Sequence, residues 1–102
     1  MAKKQFDRGN LLKSQGKFIE AISYFENALV LQPNSIEVAT NLAVALHQTG
    51  DLTGAATYYQ RATEIDPNCA QAQNNLGILL QDRGNIAEAV VCFQKAIALN
   101  PL

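Results

Sequence analysis

The sequence predicts an all-α fold in which three copies of one helical hairpin stack side by side. Prolines recur every 34 residues, at Pro33, Pro67 and Pro101. Other residue types keep the same step, at Gly16, Gly50 and Gly84, at Ala21, Ala55 and Ala89, at Ala28, Ala62 and Ala96, and at Phe25, Tyr59 and Phe93. Three such steps fill all 102 positions. A fixed period in the range of roughly 20 to 50 residues is typical of stacked-repeat proteins.

Each 34-residue unit contains two stretches with helical periodicity. In the second unit, Val38, Leu42 and Leu46 recur at a spacing of four, and Ala55, Tyr59 and Ala62 continue the pattern at four and three. The pattern predicts helices over 3–15, 18–32, 35–49, 52–66, 69–83 and 86–99. No stretch shows the strict alternation of a strand, and no linker longer than a turn separates the helices.

Punctuating residues define the expected helix ends. Asn34 with Glu37, Asn68 with Gln71, and Asn85 with Glu88 have the spacing of N-terminal capping boxes. The recurring glycines stand where a left-handed residue can end the first helix of each pair. The recurring prolines end the second helix, because proline cannot continue a helical hydrogen-bond ladder.

Composition narrows the classes of function. The formal net charge is −1, so the chain lacks the basic excess of a nucleic-acid-binding surface. The longest apolar runs, 42–46 and 89–93, are too short for a membrane span or the core of a secretion signal. We therefore expect no nucleic-acid or membrane partner and a cytoplasmic location. Cys69 and Cys92 show no metal-ligand or redox spacing and are interpreted as small, buried or half-buried side chains.

The repeat resembles the helix–turn–helix unit of the tetratricopeptide repeat family. The third unit carries that family's pattern as Leu76-Gly77, Leu80, Ala89, Phe93, Ala96 and Pro101. The first unit departs from it with Arg8 in the leucine position, and no unit has the bulky residue that the family places where Gln5, Ala39 and Gln73 stand. The resemblance spans the whole chain.

The resemblance implies a right-handed α-solenoid of three hairpins and six helices. One domain would cover residues 1–102, with repeats at about 2–35, 36–69 and 70–102. In this family the first helix of each pair lines the concave side, and the domain captures a peptide segment or a partner helix there. The implied function is that of a non-catalytic protein-interaction module.

Mapping by the 34-residue step selects the residues of this candidate groove. They are Asn10 in the first repeat, Thr40, Asn41, Val44 and His47 in the second, and Asn74, Asn75 and Ile78 in the third. Asn41 and Asn75 are equivalent, and a row of amides can hydrogen-bond the backbone of an extended peptide without reading its sequence. The pair is similar to the asparagine ladder in the repeat arm of O-linked N-acetylglucosamine transferases. The alternative is that these asparagines hold neighbouring helices together or are solvated.

A second binding mode known in the family fits less well. Members that bind chaperone tails clamp a carboxylate with three cations and two asparagines. The corresponding positions here are Phe6, Asn10, Asn41, Gln71 and Asn75, so both asparagines match and all three cations are missing. Charge-assisted bonds supply much of the grip on a carboxylate, and the sequence therefore argues against this ligand.

No constellation of residues suggests catalysis. His47 is the single histidine, and the chain has no metalloprotease, phosphate-loop or dinucleotide motif. We interpret His47 as a solvated groove residue, and we expect no catalytic residue, cofactor or metal.

The two outer helices differ in polarity. Lys4 and Arg8 in the first helix replace residues that are apolar in the later repeats. The last helix is apolar on most of its circumference and predicts self-association as a homodimer, through Val90, Phe93 and Ile97. The alternative functions are a structural spacer or a self-assembling fragment of a longer protein, and the transferase resemblance adds the arm of a glycosyltransferase.

Overall fold

A computed structural model describes residues 1–101, and these residues form six α-helices and no strand. The helices are α1 (Ala2–Ser14), α2 (Phe18–Leu31), α3 (Ile36–Gln48), α4 (Leu52–Ile65), α5 (Ala70–Asp82) and α6 (Ile86–Leu99). They form three consecutive hairpins in a body of 37 × 25 × 22 Å, which confirms the predicted fold class. No helix within residues 1–101 combines the length and the apolar character needed to cross a membrane. The third predicted repeat runs to residue 102, which lies outside the described residues.

Glycine ends the first helix of every hairpin, as predicted. Gly16, Gly50 and Gly84 have φ values of 76°, 90° and 83°, a region that residues with a side chain rarely adopt. The residue after each glycine donates its N–H to a carbonyl five positions back; the Asn85 amide, for example, bonds the Leu80 carbonyl at 2.8 Å. This bond pattern is the Schellman motif, which satisfies carbonyls at the helix end and starts the sharp reversal into the second helix.

The predicted capping boxes at Asn34 and Asn68 are wrong. The N-cap of α3 is Ser35, whose hydroxyl accepts the Val38 N–H at 3.3 Å, and the N-cap of α5 is Cys69, which makes no side-chain cap bond. The reason is the preceding proline. Each asparagine follows the proline inside a turn. In the turn between the first and second hairpins, the Ser35 N–H donates a hydrogen bond to the Gln32 carbonyl at 3.2 Å. Proline and asparagine suit the two central positions of such a turn, so each N-cap lies one residue later than predicted.

The predicted capping box at Asn85 does not form either, and α4 has a cap that was not predicted from the sequence. Asn85 stands at the N-cap position of α6, yet its side chain makes no capping hydrogen bond. The N-cap of α4 is Asp51, whose carboxylate accepts the Gly54 N–H at 2.9 Å. The carboxylate therefore satisfies one of the free amides of the first turn, and Gly54 leaves room for it.

Within a hairpin, an aromatic ring of the second helix packs against a residue without a large side chain in the first. A Cβ atom built on Gly9 would lie 2.6 Å from the Phe25 ring, and one built on Gly77 would lie 2.7 Å from the Phe93 ring. The second hairpin has Ala43 in this position, opposite Tyr59, and both residues are buried. The close approach of the two helices therefore requires a small residue at this point of each hairpin.

Between hairpins, the first helix of one unit buries its apolar stripe on the second helix of the preceding unit. Val38 and Leu42 of α3 join Phe25 and Leu29 of α2 in one core cluster, and none of the four is more than 5% exposed. A second cluster joins α5 and α6 to α4. Because each cluster contains residues of at least two hairpins, the hydrophobic stabilisation of one hairpin depends on its neighbour.

Candidate functional site

The eight predicted groove residues lie on the three first helices, α1, α3 and α5, and all keep part of their surface accessible to solvent. Asn74 and Ile78 are exposed, with Ile78 at 40%, and the other six are half-buried. We call this surface the first-helix face; its residues are Asn10, Thr40, Asn41, Val44, His47, Asn74, Asn75 and Ile78. That these residues act together as one binding surface stays a prediction, and their hydrogen bonds differ from one residue to the next.

Asn41 is held by two hydrogen bonds. Its side-chain oxygen accepts from the Lys13 ammonium of α1, and its side-chain nitrogen donates to the Glu37 carbonyl at 3.0 Å. The first bond joins the first and second hairpins across the face. One N–H and one lone pair of the Asn41 amide remain for a further partner.

Asn75, the equivalent residue one repeat later, is not held in this way. Its amide makes no side-chain hydrogen bond within residues 1–101, although it is half-buried. Asn41 is bonded by Lys13, and one repeat later the residue equivalent to Lys13 is His47. The shorter His47 side chain bonds elsewhere, so the full hydrogen-bonding capacity of Asn75 faces solvent.

His47 joins the second hairpin to the third. Its Nε2 lies 2.8 Å from a carboxylate oxygen of Asp82 in α5. Its ring meets the Tyr59 ring edge-on, with centroids 6.1 Å apart. The structure therefore differs from the prediction of a solvated histidine: the ring is packed on one side and bonded on the other. Burial raises the pKa of Tyr59 to about 12, so this phenol stays neutral beneath the histidine.

Two clefts open near the beginnings of the first helices. The cleft between α3 and α5 has a volume of about 230 Å³ and is bordered by Thr40, Asn41, Cys69 and Gln71 among others. The cleft between α1 and α3 has a volume of about 290 Å³, and its walls include Phe6 and Glu37. Each is large enough for one side chain of a ligand lying across the helices.

The structure adds Asp82, which the sequence prediction of the site missed, and it gives a bonding partner to Lys13, which the 34-residue step makes equivalent to the predicted groove residue His47. Both bond a neighbouring hairpin across the first-helix face. Asp82 lies 35 residues after His47, one position beyond the repeat step. The residue equivalent to His47 in the third repeat is Gln81, and Asp82 is its neighbour. The pair could have been found in the sequence by also testing the residues next to each equivalent position for a polar partner.

The predicted self-association residues lie on α6 and are partly accessible. Val90 is 45% exposed and Ile97 is 62% exposed, whereas Phe93 is half-buried. In the first hairpin, α3 covers the equivalent residues, which are Ile22, Phe25 and Leu29. Leu29, the equivalent of Ile97, is only 5% exposed. The structure thus places an apolar surface where the earlier hairpins have an interface.

The stacked hairpins and the first-helix face define a helical-repeat protein. Comparison with protein-family models then identifies the family: a model described as tetratricopeptide repeat matches residues 12–77, and a second with the same description matches residues 70–101. The chain belongs to the tetratricopeptide repeat family, as the sequence resemblance implied. The finer resemblance to the arm of O-linked N-acetylglucosamine transferases stays a prediction.

Solved structures of this family superimpose on nearly the whole chain. The Sgt2 TPR domain from Aspergillus fumigatus is 25% identical with a TM-score of 0.91, covering 98% of this chain and 66% of that one. MamA is 23% identical with a TM-score of 0.94, covering 98% of this chain and 58% of that one. The first TPR of Spaghetti (RPAP3), bound to the HSP90 peptide SRMEEVD, is 22% identical with a TM-score of 0.93, covering 98% and 79%. The chain thus spans between 58% and 79% of these structures. No curated protein sequence matches it.

Proposed function

We propose that the chain is a protein-interaction module that binds an extended peptide across its first-helix face. The observation that carries this proposal is the Asn75 amide, which is half-buried on α5 and makes no hydrogen bond within residues 1–101. Because this amide makes no bond within the described residues, a ligand can pair with it without breaking a hydrogen bond of the chain. The RPAP3 domain, solved with a bound HSP90 peptide, gives a precedent for peptide binding by the same fold.

The two asparagines would share the contact with the peptide backbone unequally. Asn75 can accept one peptide N–H and donate to a peptide carbonyl, which makes a paired contact with one residue of the ligand. Asn41 can offer only its second N–H and its second oxygen lone pair, because Glu37 and Lys13 engage the others. Backbone contacts of this kind select for an extended conformation and leave the sequence of the ligand open.

The remaining residues of the face shape the groove. Val44 and the exposed Ile78 offer apolar contact to a ligand side chain, and Thr40 borders the cleft between α3 and α5. Asn10 of α1 and Asn74 of α5 add polar groups on the two first helices that flank α3. His47 is fixed by Asp82 and Tyr59 and so contributes a rigid wall. A surface that is already rigid loses little conformational entropy on binding.

Replacing Asn75 by alanine tests this function. A peptide selected on the chain from a random-sequence phage library serves as the ligand, and calorimetric titration measures its dissociation constant. We expect Asn75→Ala to weaken binding by about 5- to 30-fold, the equivalent of about 1–2 kcal/mol for a lost hydrogen-bonded contact. Asn41→Ala should weaken it less, since that amide is already engaged.

Asn27→Ala is the matched control, because Asn27 is an exposed asparagine on α2, outside the first-helix face. Its affinity should equal that of the unmodified chain. Unchanged affinity in Asn75→Ala, or selected peptides whose binding responds to none of the groove substitutions, would contradict the proposal. The absence of catalysis, the cytoplasmic location and the alternatives of a spacer or a glycosyltransferase arm stay predictions.

A further inference from the structure

The apolar surface of α6 continues an interface that the chain uses twice internally. Three positions of the second helix, equivalent through the 34-residue step, receive the next hairpin in the first two units. They are Ile22, Phe25 and Leu29 in α2, Ala56, Tyr59 and Thr63 in α4, and Val90, Phe93 and Ile97 in α6. Leu29 and Ala56 are 5% and 4% exposed, but Val90 and Ile97 are 45% and 62% exposed. The α6 surface thus has the chemistry of a helix-packing interface.

Three exposed residues and the half-buried Phe93 form a regular stripe along α6. Ile86, Val90, Phe93 and Ile97 are spaced by four, three and four residues, the spacing of the contact seam in a coiled coil. We call these four residues the α6 stripe. Ile86 is 55% exposed, so the accessible part of the stripe extends along most of the helix.

The neighbours of the α6 stripe favour close contact with another helix. The accessible positions directly beside it are Ala87, Gln94 and the half-buried Ala96, none of them charged, whereas Ala89 is buried in the core of its own hairpin. Small flanking residues let two helix backbones approach each other, and the absence of charge there avoids a desolvation penalty. Glu88 and Lys95, the charged residues of α6, lie on the opposite side of the helix, where they would stay in water.

From this pattern we infer that the α6 stripe binds the α6 stripe of a second copy of the chain in an antiparallel pair. The spacing of four, three and four reads the same in both directions, so a two-fold axis brings Ile86 opposite Ile97 of the second copy, and Val90 opposite its Phe93. A two-fold interface requires this kind of self-complementary surface. Ile86 of the second copy would then approach the cleft of about 460 Å³ that Asn74, Phe93 and Ile97 border.

A second copy could also offer its α1, in the way that α3 packs on α2, and the structure argues against this contact. The outer positions of α1 carry Lys4 and Arg8, where α3 has the buried residues Val38 and Leu42. Stacking α1 on the α6 stripe would press two cations against Val90 and Phe93, which is unfavourable without anionic partners. Head-to-tail growth is thereby disfavoured, and the assembly closes at two chains.

Sedimentation equilibrium tests the inference on the whole chain. We expect the mass to rise from the monomer value of 11.1 kDa toward twice that value as the concentration increases through the micromolar range. Val90→Glu should keep the chain monomeric over the same range. Val91→Glu is the matched control, because Val91 is a neighbouring valine of similar exposure, 49%, on another side of α6, and it should dimerise normally. Circular dichroism checks that both variants keep their helices.

A charge exchange tests the antiparallel register. Ile86→Lys and Ile97→Glu should each be monomeric alone, and an equimolar mixture should regain dimers. In an antiparallel pair, position 86 of one chain faces position 97 of the other at both ends. The mixed dimer therefore has the introduced lysine against the introduced glutamate at one end and an unmodified isoleucine pair at the other. A parallel pair would not bring the two introduced charges together. A mixture that stays monomeric would overturn the register.

Three results would overturn the inference itself. The unmodified chain could stay monomeric at high micromolar concentration, Val90→Glu could still form dimers, or the control Val91→Glu could dissociate as completely as Val90→Glu. A synthetic peptide of residues 34–49 contains α3, the helix that packs on the equivalent surface of α2. If the chain stays monomeric and binds this peptide, the inference is overturned and the α6 stripe is assigned to packing against the first helix of a further hairpin.

Discussion

Replacing Leu42 by arginine should unfold much of the protein at room temperature. Leu42 of α3 has no exposed surface and lies in the core cluster that joins the first two hairpins. The substitution would place a guanidinium among Phe25, Leu29 and Val38, where it finds no partner of opposite charge in the cluster. An unpaired buried charge and an oversized side chain together cost more than about 4 kcal/mol, a large part of the total stability of a domain of this size.

The matched control for this prediction is already in the sequence. Arg8 occupies the position equivalent to Leu42, one repeat earlier, and its guanidinium lies 5.8 Å from the centre of the Tyr24 ring, with the residue exposed. Arg8→Leu should therefore change the free energy of unfolding by less than about 1 kcal/mol. Urea unfolding followed by circular dichroism measures both variants. Equal effects would contradict the claim that burial between hairpins, rather than the residue type, decides the outcome.

Phe25→Ala should lower the free energy of unfolding by about 3–5 kcal/mol. The Phe25 ring is completely buried, fills the space left by Gly9, and lies 6.0 Å from the Phe6 ring, centre to centre. Removing it leaves a cavity that the two helices of the first hairpin cannot close without moving. The same cluster holds α3 against α2, so the loss extends to the interface between hairpins.

Phe93→Ala is the comparison for Phe25→Ala, because Phe93 packs against Gly77 in the same geometry but is only half-buried. Its cost should be at most about half as large, since less apolar area is removed from water on folding. Both variants should be measured by urea unfolding at concentrations low enough to keep the chain monomeric. A cost for Phe93→Ala equal to that for Phe25→Ala would contradict the account of the core.

The helices were predictable because their punctuation has few physical alternatives. The three left-handed glycines and the three prolines end helices for steric reasons that hold in any context, and every predicted helix end lies within one residue of the observed one. The caps were less predictable. Asn34 is chemically suited both to capping a helix and to the turn after Pro33, and the turn, closed by the Gln32 carbonyl, decides between the two.

The candidate site was predictable as a surface but not as a hydrogen-bond network. The 34-residue step places Asn41 and Asn75 on equivalent helix positions, yet only Asn41 receives a lysine, because Lys13 is replaced by the shorter His47 one repeat later. Such contacts depend on the reach of side chains between hairpins. The repeat step alone does not contain that information.

Each hairpin is stable only when it packs against a neighbour. The most direct measurement is the circular dichroism of a peptide with the sequence of the second hairpin, residues 34–67, compared with the whole chain. We expect a largely unfolded peptide without a cooperative thermal transition, because Leu42 and Tyr59 bury their surfaces against residues of other hairpins. A peptide that is helical and melts cooperatively would contradict it.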